Sequence, residues 1–423
     1  MANVRKIAVN ILLKIEKDCA YSNITLNSFL KDTELESIDK KLLSALVYGV
    51  LDRKITLDFV LSRFMKTPIK KTAPFTLAVL RTALYQIMFM DKIPDSAAVN
   101  EAVKLIKNSK ESRNSGFVNG VLRSILREEK LLPEGDSVKD LSVRYSCPEN
   151  IINSFINDYG KENAVGILNE SLKSPPMVLR TNTVKISSDD LISELRKLGI
   201  ESEKGFIENS VILVGGADIR ENPLFKNGLF HVQDFASQKV VSVLSPKAGE
   251  RILDICAAPG GKTFTMAEFM ENKGEIIATD LYEHKIKLIE KSAKRLGLDI
   301  IKTYVSDAGV YNNKLGEFDG ILCDVPCSGL GVIKRKPEIK YKEIEDYSSL
   351  EEIQYEILEN AVRYLKNGGR ILYSTCTLRK NENEKMIEKF LSLNKDFEKE
   401  YEHTFMPHID KTDGFYCALL IKK

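Results

Sequence analysis

Two cysteines lie in motifs of turn-forming residues, where a thiol could act on a bound ligand. D-V-P-C-S-G-L-G contains Cys327 and Y-S-T-C-T-L contains Cys376, each just past a β-rich run. Their Pro, Gly, Ser and Thr neighbours favour exposed turns. A thiolate that adds to carbon 6 of a cytosine makes the ring enamine-like, so that carbon 5 can accept a methyl group. By spacing alone, the two cysteines are equally good nucleophiles.

A free thiol has a pKa of ~8.5, so such a site needs a cation or a base near the nucleophile. Lys262 is a candidate cation that could favour a thiolate or hold Asp324 in place. Asp324 is expected to hydrogen-bond the ring edge of the base and, if protonated, to stabilise the adduct through ring nitrogen 3. The proton on carbon 5 must leave before the thiol is expelled, which gives the second cysteine a function.

The segment D-I-C-A-A-P-G-G-K-T, residues 254–263, runs from an apolar strand through a glycine turn into a predicted helix. Gly260 and Gly261 let the backbone approach a ligand, and amides at a helix N-terminus face its negative groups. The next strand ends at Asp280, which suits the hydroxyls of a ribose, and the third ends at Asp307, which suits an adenine amino group. Together with the acid that opens the segment, they predict an adenosine pocket.

The same segment partly matches the P-loop pattern of nucleotide hydrolases, G-x-x-x-x-G-K-[ST]. Gly261, Lys262 and Thr263 fit its end, but Cys256 stands where the first glycine belongs. The turn also lacks the G-x-G-x-x-G spacing of a dehydrogenase. A hydrolase and a dehydrogenase are therefore weaker alternatives. A non-catalytic RNA-binding or antitermination factor is a third, but it would not need the acids and thiols.

Short β-rich runs alternate with helical lengths in the C-terminal part of the chain. They cover residues 251–255, 275–279, 303–305, 320–324 and 369–375. This alternation predicts an α/β fold with a parallel, doubly wound sheet that binds its ligand at the carboxyl ends of the strands. The motif acids and cysteines follow these runs, so we expect them at one edge of the sheet.

The chain is too long for one ordinary core, and several domains are expected. Residues 1–130 contain apolar stripes at helical spacing, which predict an all-helical domain. The polar segment 127–137 breaks that pattern and is a candidate linker. Residues 138–235 mix helix and strand patterns in a small α+β domain, and residues 236–423 contain the predicted sheet.

Composition narrows the class of protein. The 423 residues are 43% hydrophobic and 29% charged, as in soluble globular proteins. The seven cysteines form no C-x-x-C pair and accompany only four histidines, so neither disulfides nor a metal site are expected. No apolar run reaches the ~18 residues of a membrane span, and the first residues become charged too soon for a signal peptide. A cytoplasmic protein without a membrane partner is expected.

Charge is distributed unevenly along the chain. Residues 1–130 carry 22 Lys/Arg against 14 Asp/Glu, a net +8, whereas the rest carries 40 against 46, a net −6. A basic N-terminal part suits contact with nucleic acid phosphates, although a solvated basic surface is about equally expected.

Taken together, the motifs resemble those of the RsmB family, also called Sun or Fmu, of bacterial 16S ribosomal RNA cytosine-5 methyltransferases. The resemblance includes G-F-V-N-G-V-L-R at 116–123, M-V-L-R-T-N at 177–182 and V-Q-D-F-A-S-Q at 232–238, and it spans essentially the whole chain. It implies a NusB-like RNA-binding domain at 1–130, a methyltransferase N-terminal subdomain at 138–235 and a Rossmann-like catalytic domain at 236–423. The implied cofactor is S-adenosyl-L-methionine.

The resemblance also divides the work between the two thiols. It implies that Cys376 is the nucleophile and that Cys327 assists product release, whereas DNA cytosine-5 methyltransferases use the cysteine of their P-C motif. Asp324 and Lys262 complete the catalytic set. The implied cofactor contacts are Cys256, Ala257, Ala258, Pro259, Gly260, Gly261, Lys262, Asp280, Asp307 and Asp324.

The implied substrate is 16S rRNA, free or in an early assembly particle, and the usual family target is cytosine 967 in standard numbering. Relatives with the same two-cysteine core act on tRNA or the large rRNA, so these substrates stay open. The target must lie in a loop or be flipped, because a duplex hides carbon 6. We expect a monomer that does not act on DNA. Candidate phosphate contacts, each about as well explained by a solvated surface, are Arg180, Lys334, Arg335, Lys336 and the segment 66–71.

Overall fold

The computed structural model describes residues 3–18, 22–32, 35–215, 219, 221–342 and 347–423. The chain divides into two compact units. Unit 1 comprises Met1–Lys173 and Ile333–Lys342, and unit 2 comprises Ser174–Val332 and Glu343–Lys423. None of the helices in the described ranges combines the length and the apolar character that crossing a membrane requires.

The described residues of unit 1 form helices joined by connecting segments, and they include no strand. Apolar side chains recur every three or four positions, so each helix buries one side in a common core. Helix α1, for example, buries Val4, Ala8, Ile11 and Ile15. The α-helices of unit 1 are α1 (Val4–Asp18), α2 (Ser22–Asp32), α3 (Ser37–Asp52), α4 (Lys54–Phe64), α5 (Pro74–Phe89), α6 (Asp95–Lys107), α7 (Ser115–Ile125), α8 (Val138–Tyr145) and α9 (Glu149–Ser171).

The segment Ile333–Lys342, which follows the Cys327 motif, belongs to unit 1. The Lys340 side chain is fully buried, and its Nζ donates to the backbone oxygen and to Oδ1 of Asp52, both at 2.8 Å. The hydroxyl of Tyr341 donates to the backbone oxygen of Leu51 at 2.8 Å. These contacts anchor the segment at the C-terminal end of α3.

Unit 2 contains two sheets. The four-stranded sheet has the order β2-β3-β1-β4 and the seven-stranded sheet has the order β10-β11-β9-β8-β5-β6-β7. The strands are β1 (Met177–Thr181), β2 (Ser202–Lys204), β3 (Ser210–Leu213), β4 (Phe230–Val232), β5 (Arg251–Asp254), β6 (Glu275–Asp280), β7 (Ile301–Val305), β8 (Phe318–Asp324), β9 (Leu365–Thr375), β10 (Phe397–Phe405) and β11 (Phe415–Lys422). The helices are α10 (Ser188–Lys197), α11 (Pro223–Lys226), α12 (Phe235–Leu244), α13 (Gly261–Phe269), α14 (Glu283–Leu296), α15 (Tyr347–Ala361), α16 (Glu384–Leu393) and α17 (Pro407–Asp410).

The five strands predicted in the C-terminal part are β5 to β9, and they lie parallel to one another. This confirms the doubly wound arrangement, and the sequence placed each of these strands to within a few residues. The prediction was incomplete at one edge, where β11 runs antiparallel to β9 and β10 runs antiparallel to β11. Strand β10 was not recognised because its sequence, F-E-K-E-Y-E-H-T-F, is mostly polar, as an exposed edge strand allows.

The predicted linker region, residues 127–137, contains neither helix nor strand between α7 and α8. The contacts group α8 and α9 with the other helices of unit 1, whereas the sequence placed residues 138–235 in one α+β domain. The boundaries 1–130, 138–235 and 236–423 stay a prediction.

Candidate active site

The carboxyl ends of neighbouring parallel strands bring the motif residues to one edge of the seven-stranded sheet. Strand β5 ends at Asp254, β8 ends at Asp324 and β9 ends at Thr375, one residue before Cys376. Because β9, β8 and β5 are adjacent in the sheet, residues far apart in sequence meet there. The structure thus brings together the cofactor loop and both cysteine motifs.

The two motif cysteines lie side by side. Their Sγ atoms are 3.3 Å apart, and both residues are half-buried. The hydrogen bond to the Cys376 sulfur and burial together raise the pKa of the Cys327 thiol well above its ordinary value, and the charge of Glu382 adds to the effect. Cys327 therefore holds its proton more tightly than an ordinary thiol does.

An ion pair lies next to the cysteines. Lys262 Nζ is 2.7 Å from Asp324 Oδ2, and Ser374 Oγ donates to Asp324 Oδ1 at 2.8 Å. Burial alone would lower the pKa of Lys262, but the charge and hydrogen bond of Asp324, helped by Asp234 and Cys376, raise it. Lys262 is thus a cation at this edge, and both oxygens of Asp324 have defined donors.

The cofactor loop connects β5 to α13. Thr263 Oγ1 donates to Asp254 Oδ2 at 2.6 Å, which ties the first turn of the helix to the strand end. Gly260 has φ +103°, and a Cβ there would meet the Phe264 ring at 2.4 Å, so only glycine fits. Ala257 donates its N–H to the Thr279 oxygen at 2.8 Å. The loop is therefore held to two neighbouring strands.

The remaining predicted acids lie at the next strand ends. Asp280 ends β6, is largely buried, and accepts the Tyr282 N–H at 3.2 Å and an ion pair from Lys285 at 3.4 Å. Asp307 follows β7, is exposed, and accepts the Gly309 N–H at 2.9 Å. Since β5, β6 and β7 are adjacent, the acids form a row along one edge.

A buried polar cluster that was not predicted from the sequence lies behind the thiols. It contains Glu382 and Asn383, both fully buried, and the residues that follow the two cysteines, Ser328 and Thr377. Ser328 Oγ lies 2.7 Å from Thr377 Oγ1. The available signal was the polar run R-K-N-E-N-E at residues 379–384, directly after the Cys376 motif, and composition alone describes such a run as a solvated surface.

The predicted RNA contact Arg180 has partners inside unit 2. Its side chain is buried, its Nε donates to Glu268 Oε2 at 2.8 Å, and its Nη1 donates to the Glu208 backbone oxygen at 2.9 Å. Burial raises the pKa of Glu268 to about 7, against the opposing charge of Arg180. A phosphate would have to compete with these bonds, and RNA contact by Arg180 stays a prediction.

The other predicted RNA contacts, Lys334, Arg335 and Lys336, are half-buried and belong to unit 1. Lys334 Nζ lies 3.9 Å from Glu170 Oε2, a long ion pair within that unit. Their contact with RNA also stays a prediction.

Comparisons with known proteins show which family the chain is similar to. A protein-family model described as 16S rRNA methyltransferase RsmB/F matches residues 241–421. The NusB family matches residues 2–127, and an RsmF/B-like ferredoxin-like domain matches residues 147–220. A relative in Bacillus subtilis (strain 168), named probable ribosomal RNA small subunit methyltransferase B, is 39% identical over 100% of this chain and 99% of its own length.

The chain belongs to the RsmB/F family of 16S rRNA methyltransferases. Ribosomal RNA small subunit methyltransferase B of Proteus mirabilis (strain HI4320) is 32% identical over 100% of this chain and 99% of its own. The crystal structure of PH0851 matches with a TM-score of 0.84 at 27% identity, over 100% of this chain and 99% of that one. The crystal structure of NSun6 from Pyrococcus horikoshii with SFG matches with a TM-score of 0.61 at 25% identity, over 65% of this chain and 98% of that one.

Membership of the RsmB/F family confirms the resemblance found in the motifs. The protein is an S-adenosyl-L-methionine-dependent rRNA methyltransferase with a NusB domain, a ferredoxin-like domain and a Rossmann-like catalytic fold. The geometry fits this cofactor. The loop leads into the N-terminus of α13, beside the row of strand-end acids, and a Cβ built on Gly261 would make only an ordinary contact with Gln233 at 3.8 Å.

Proposed function

We propose that this RsmB/F methyltransferase methylates carbon 5 of a cytosine in 16S rRNA through a covalent bond between Cys376 and the base. The observation that carries the proposal is the 3.3 Å distance between the sulfurs of Cys327 and Cys376, beside the pair of Lys262 and Asp324. Methyl transfer to a nitrogen or oxygen that is already nucleophilic would need no thiol at this edge. Two thiols support a target carbon that must first be activated.

The proposed reaction conserves electrons. The Cys376 thiolate adds to carbon 6, and the electron pair of the 5,6 double bond moves to carbon 5. Carbon 5 then forms a bond to the methyl group, which S-adenosyl-L-methionine supplies from its sulfonium sulfur. A base takes the proton from carbon 5, the double bond forms again, and Cys376 leaves as a thiolate. No oxidant or reductant is consumed.

The raised pKa of the Cys327 thiol supports Cys376 over Cys327 as the nucleophile. Cys327 holds its proton because its hydrogen bond to the Cys376 sulfur and its burial raise its pKa. Burial lowers the pKa of Lys262, but Asp324 raises it further than that, and Asp234 and Cys376 add smaller effects in the same direction. Cys327 is then a thiol during attack and assists product release afterwards. Asp324, oriented by Ser374 and Lys262, would hydrogen-bond the ring edge of the cytosine.

The proposed cofactor site uses Cys256 to Lys262 of the glycine loop, with Asp280 for the ribose hydroxyls, Asp307 for the adenine and Asp324 near the methyl group. The proposed target is cytosine 967 of 16S rRNA, either in free RNA or in an early assembly particle. The protein is proposed to act on it as a monomer. The names of the relatives support the small-subunit rRNA as substrate.

Single-turnover assays of Cys376→Ala and Cys327→Ala test the roles of the thiols. With a 16S rRNA transcript and S-adenosyl-L-methionine, Cys376→Ala should give neither methylated RNA nor a covalent complex on a denaturing gel. Cys327→Ala should accumulate a methylated protein–RNA complex. Cys417→Ala, buried in the same sheet, is the matched control and should turn over normally. Adduct from Cys376→Ala and none from Cys327→Ala would show that the roles are reversed.

Bisulfite sequencing of RNA tests the target. A strain that lacks this protein should lose methylation at cytosine 967 and regain it when the gene is restored. Loss of a tRNA or large-rRNA site, with the small-subunit rRNA unchanged, would instead support the alternative substrates.

A further inference from the structure

Behind the thiols, a buried carboxylate holds the turn that contains Cys327. Glu382 Oε2 accepts the Ser328 N–H at 2.8 Å and Gln354 Nε2 at 2.9 Å, and its Oε1 accepts Ser328 Oγ at 2.5 Å and Arg379 Nη1 at 3.1 Å. Gln354 Nε2 also donates to the backbone oxygen of Pro326 at 2.9 Å. The residues on both sides of Cys327 are therefore bound, directly or through one amide, to Glu382.

The next residue, Asn383, holds the turn that contains Cys376. Its Oδ1 accepts Thr375 Oγ1 at 2.6 Å, and its Nδ2 donates to the Thr377 backbone oxygen at 3.0 Å. These two contacts bracket Cys376 in the sequence. One amide side chain thus binds the residues immediately before and after the nucleophile.

The two turns also bind each other through the residues that follow the cysteines. A hydroxyl has one proton to donate, and Ser328 Oγ gives its proton to Glu382. The 2.7 Å contact between Ser328 and Thr377 is then donated by Thr377 Oγ1. The order of donation is Thr377 to Ser328 to Glu382, so the carboxylate sets the direction of the link between the turns.

We propose that Glu382 and Asn383 are positioning residues with separate roles. Glu382 positions Cys327, the thiol that assists release, and Asn383 positions Cys376, the thiol that attacks. The inference rests on the proposed two-thiol reaction. Neither side chain touches the base, because both are fully buried behind the turns. Each acts through the turn that it holds, and sulfurs 3.3 Å apart leave little room for a shift of either turn.

The separate roles predict different kinetic defects, slow release of the covalent complex for Glu382 variants and slow formation of it for Asn383 variants. Glu382→Gln replaces an acceptor that faces Arg379 and Ser328 by a donor, so the Cys327 turn should shift while the contacts of Asn383 stay. The covalent RNA complex should form at a near-normal rate and accumulate about tenfold over wild type. Asn383→Ala should instead slow formation of the complex about 100-fold, with no accumulation.

The experiment uses the full chain, a 16S rRNA transcript and radiolabelled S-adenosyl-L-methionine, with the complex and the free methylated RNA measured over time. Glu388→Gln and Asn381→Ala are the matched controls, because both side chains are exposed on or beside α16, and both should behave as wild type. Ser328→Ala removes the hydroxyl contacts of Ser328 with Glu382 and with Thr377, and Thr375→Val removes one contact of the Asn383 half. They should reproduce the release and attack defects if a Glu382 or Asn383 variant does not fold.

Equal loss of formation and release in both variants would overturn the inference and leave Glu382 and Asn383 as parts of the core. Normal release by Glu382→Gln would overturn it as well. Cys327→Ala in the same assay keeps the two proposals apart. If Cys327→Ala forms no complex, the two-thiol reaction itself fails, whereas a trapped Cys327→Ala complex beside uniform defects in the other variants contradicts only the division of duties.

Discussion

Burial at the carboxyl end of β5 changes the pKa of the Asp254 carboxyl group. It is 1% exposed, and burial raises its pKa to about 7, although the hydrogen bond from Thr263 acts in the opposite direction. An aspartate in an unfolded chain has a pKa of about 3.9. Between these values the folded protein binds a proton that the unfolded chain has released. The contribution of Asp254 to the stability of the folded state therefore falls as the pH rises from about 4 to about 7.

Asp254→Asn tests this linkage because asparagine cannot ionise. The free energy of unfolding of the variant relative to wild type should increase by a few kcal/mol, as an order of magnitude, between pH 4 and pH 7. Urea unfolding at several pH values, without cofactor, measures the difference. Asp307→Asn, at the exposed end of a neighbouring strand, is the matched control for the substitution itself. A flat difference for Asp254→Asn would mean that this carboxyl ionises as it does in water.

At the scale of the elements, the parallel strands could be predicted because each is a short apolar run that ends in a polar motif. That pattern was sufficient to bring Cys327, Cys376, Asp324 and Lys262 to one edge. The edge strand β10 could not be found in this way, since exposure removes its apolar signal. Nor could Glu382 be recognised, because the sequence does not show whether a glutamate is buried or exposed. Its partners Ser328 and Gln354 come from two other segments, and only the fold brings them to Glu382.

The two glycines in the turn between β5 and α13, Gly260 and Gly261, should respond differently to substitution by alanine. Gly260→Ala should destabilise the protein by about 1–3 kcal/mol, because φ is +103° and the Cβ would collide with Phe264. Gly261→Ala has space and ordinary backbone angles, so the free energy of unfolding should stay within about 0.5 kcal/mol. The added methyl group would nevertheless contact Gln233 beside the proposed cofactor loop, and we expect it to weaken cofactor binding.

Urea unfolding without cofactor and calorimetric titration with S-adenosyl-L-methionine measure the two effects of these glycine variants. Normal cofactor affinity in Gly261→Ala would place the ligand away from the N-terminus of α13. Equal destabilisation by both substitutions would contradict the conformational argument for Gly260.

The net charge differs between the two parts of the chain. Residues 1–130 carry +8, and the remaining residues carry −6. An RNA substrate carries a phosphate at every nucleotide, and each contact between a phosphate and a lysine releases a counterion. Binding should therefore weaken as salt increases, with a slope that reports the number of contacts. Three exposed lysines in the segment 66–71, Lys66, Lys70 and Lys71, are candidates for such contacts.

Replacing Lys66, Lys70 and Lys71 together by glutamine should weaken binding to a 16S rRNA transcript at low salt. It should also reduce the slope of log affinity against log salt by about 2, because each lost contact contributes about 0.7 to 0.9. Filter binding from 50 to 300 mM salt measures both quantities. The matched control replaces Lys291, Lys294 and Lys395, which are also exposed but belong to the acidic part. The same loss in both triple variants would mean that total charge, rather than the segment 66–71, governs RNA binding.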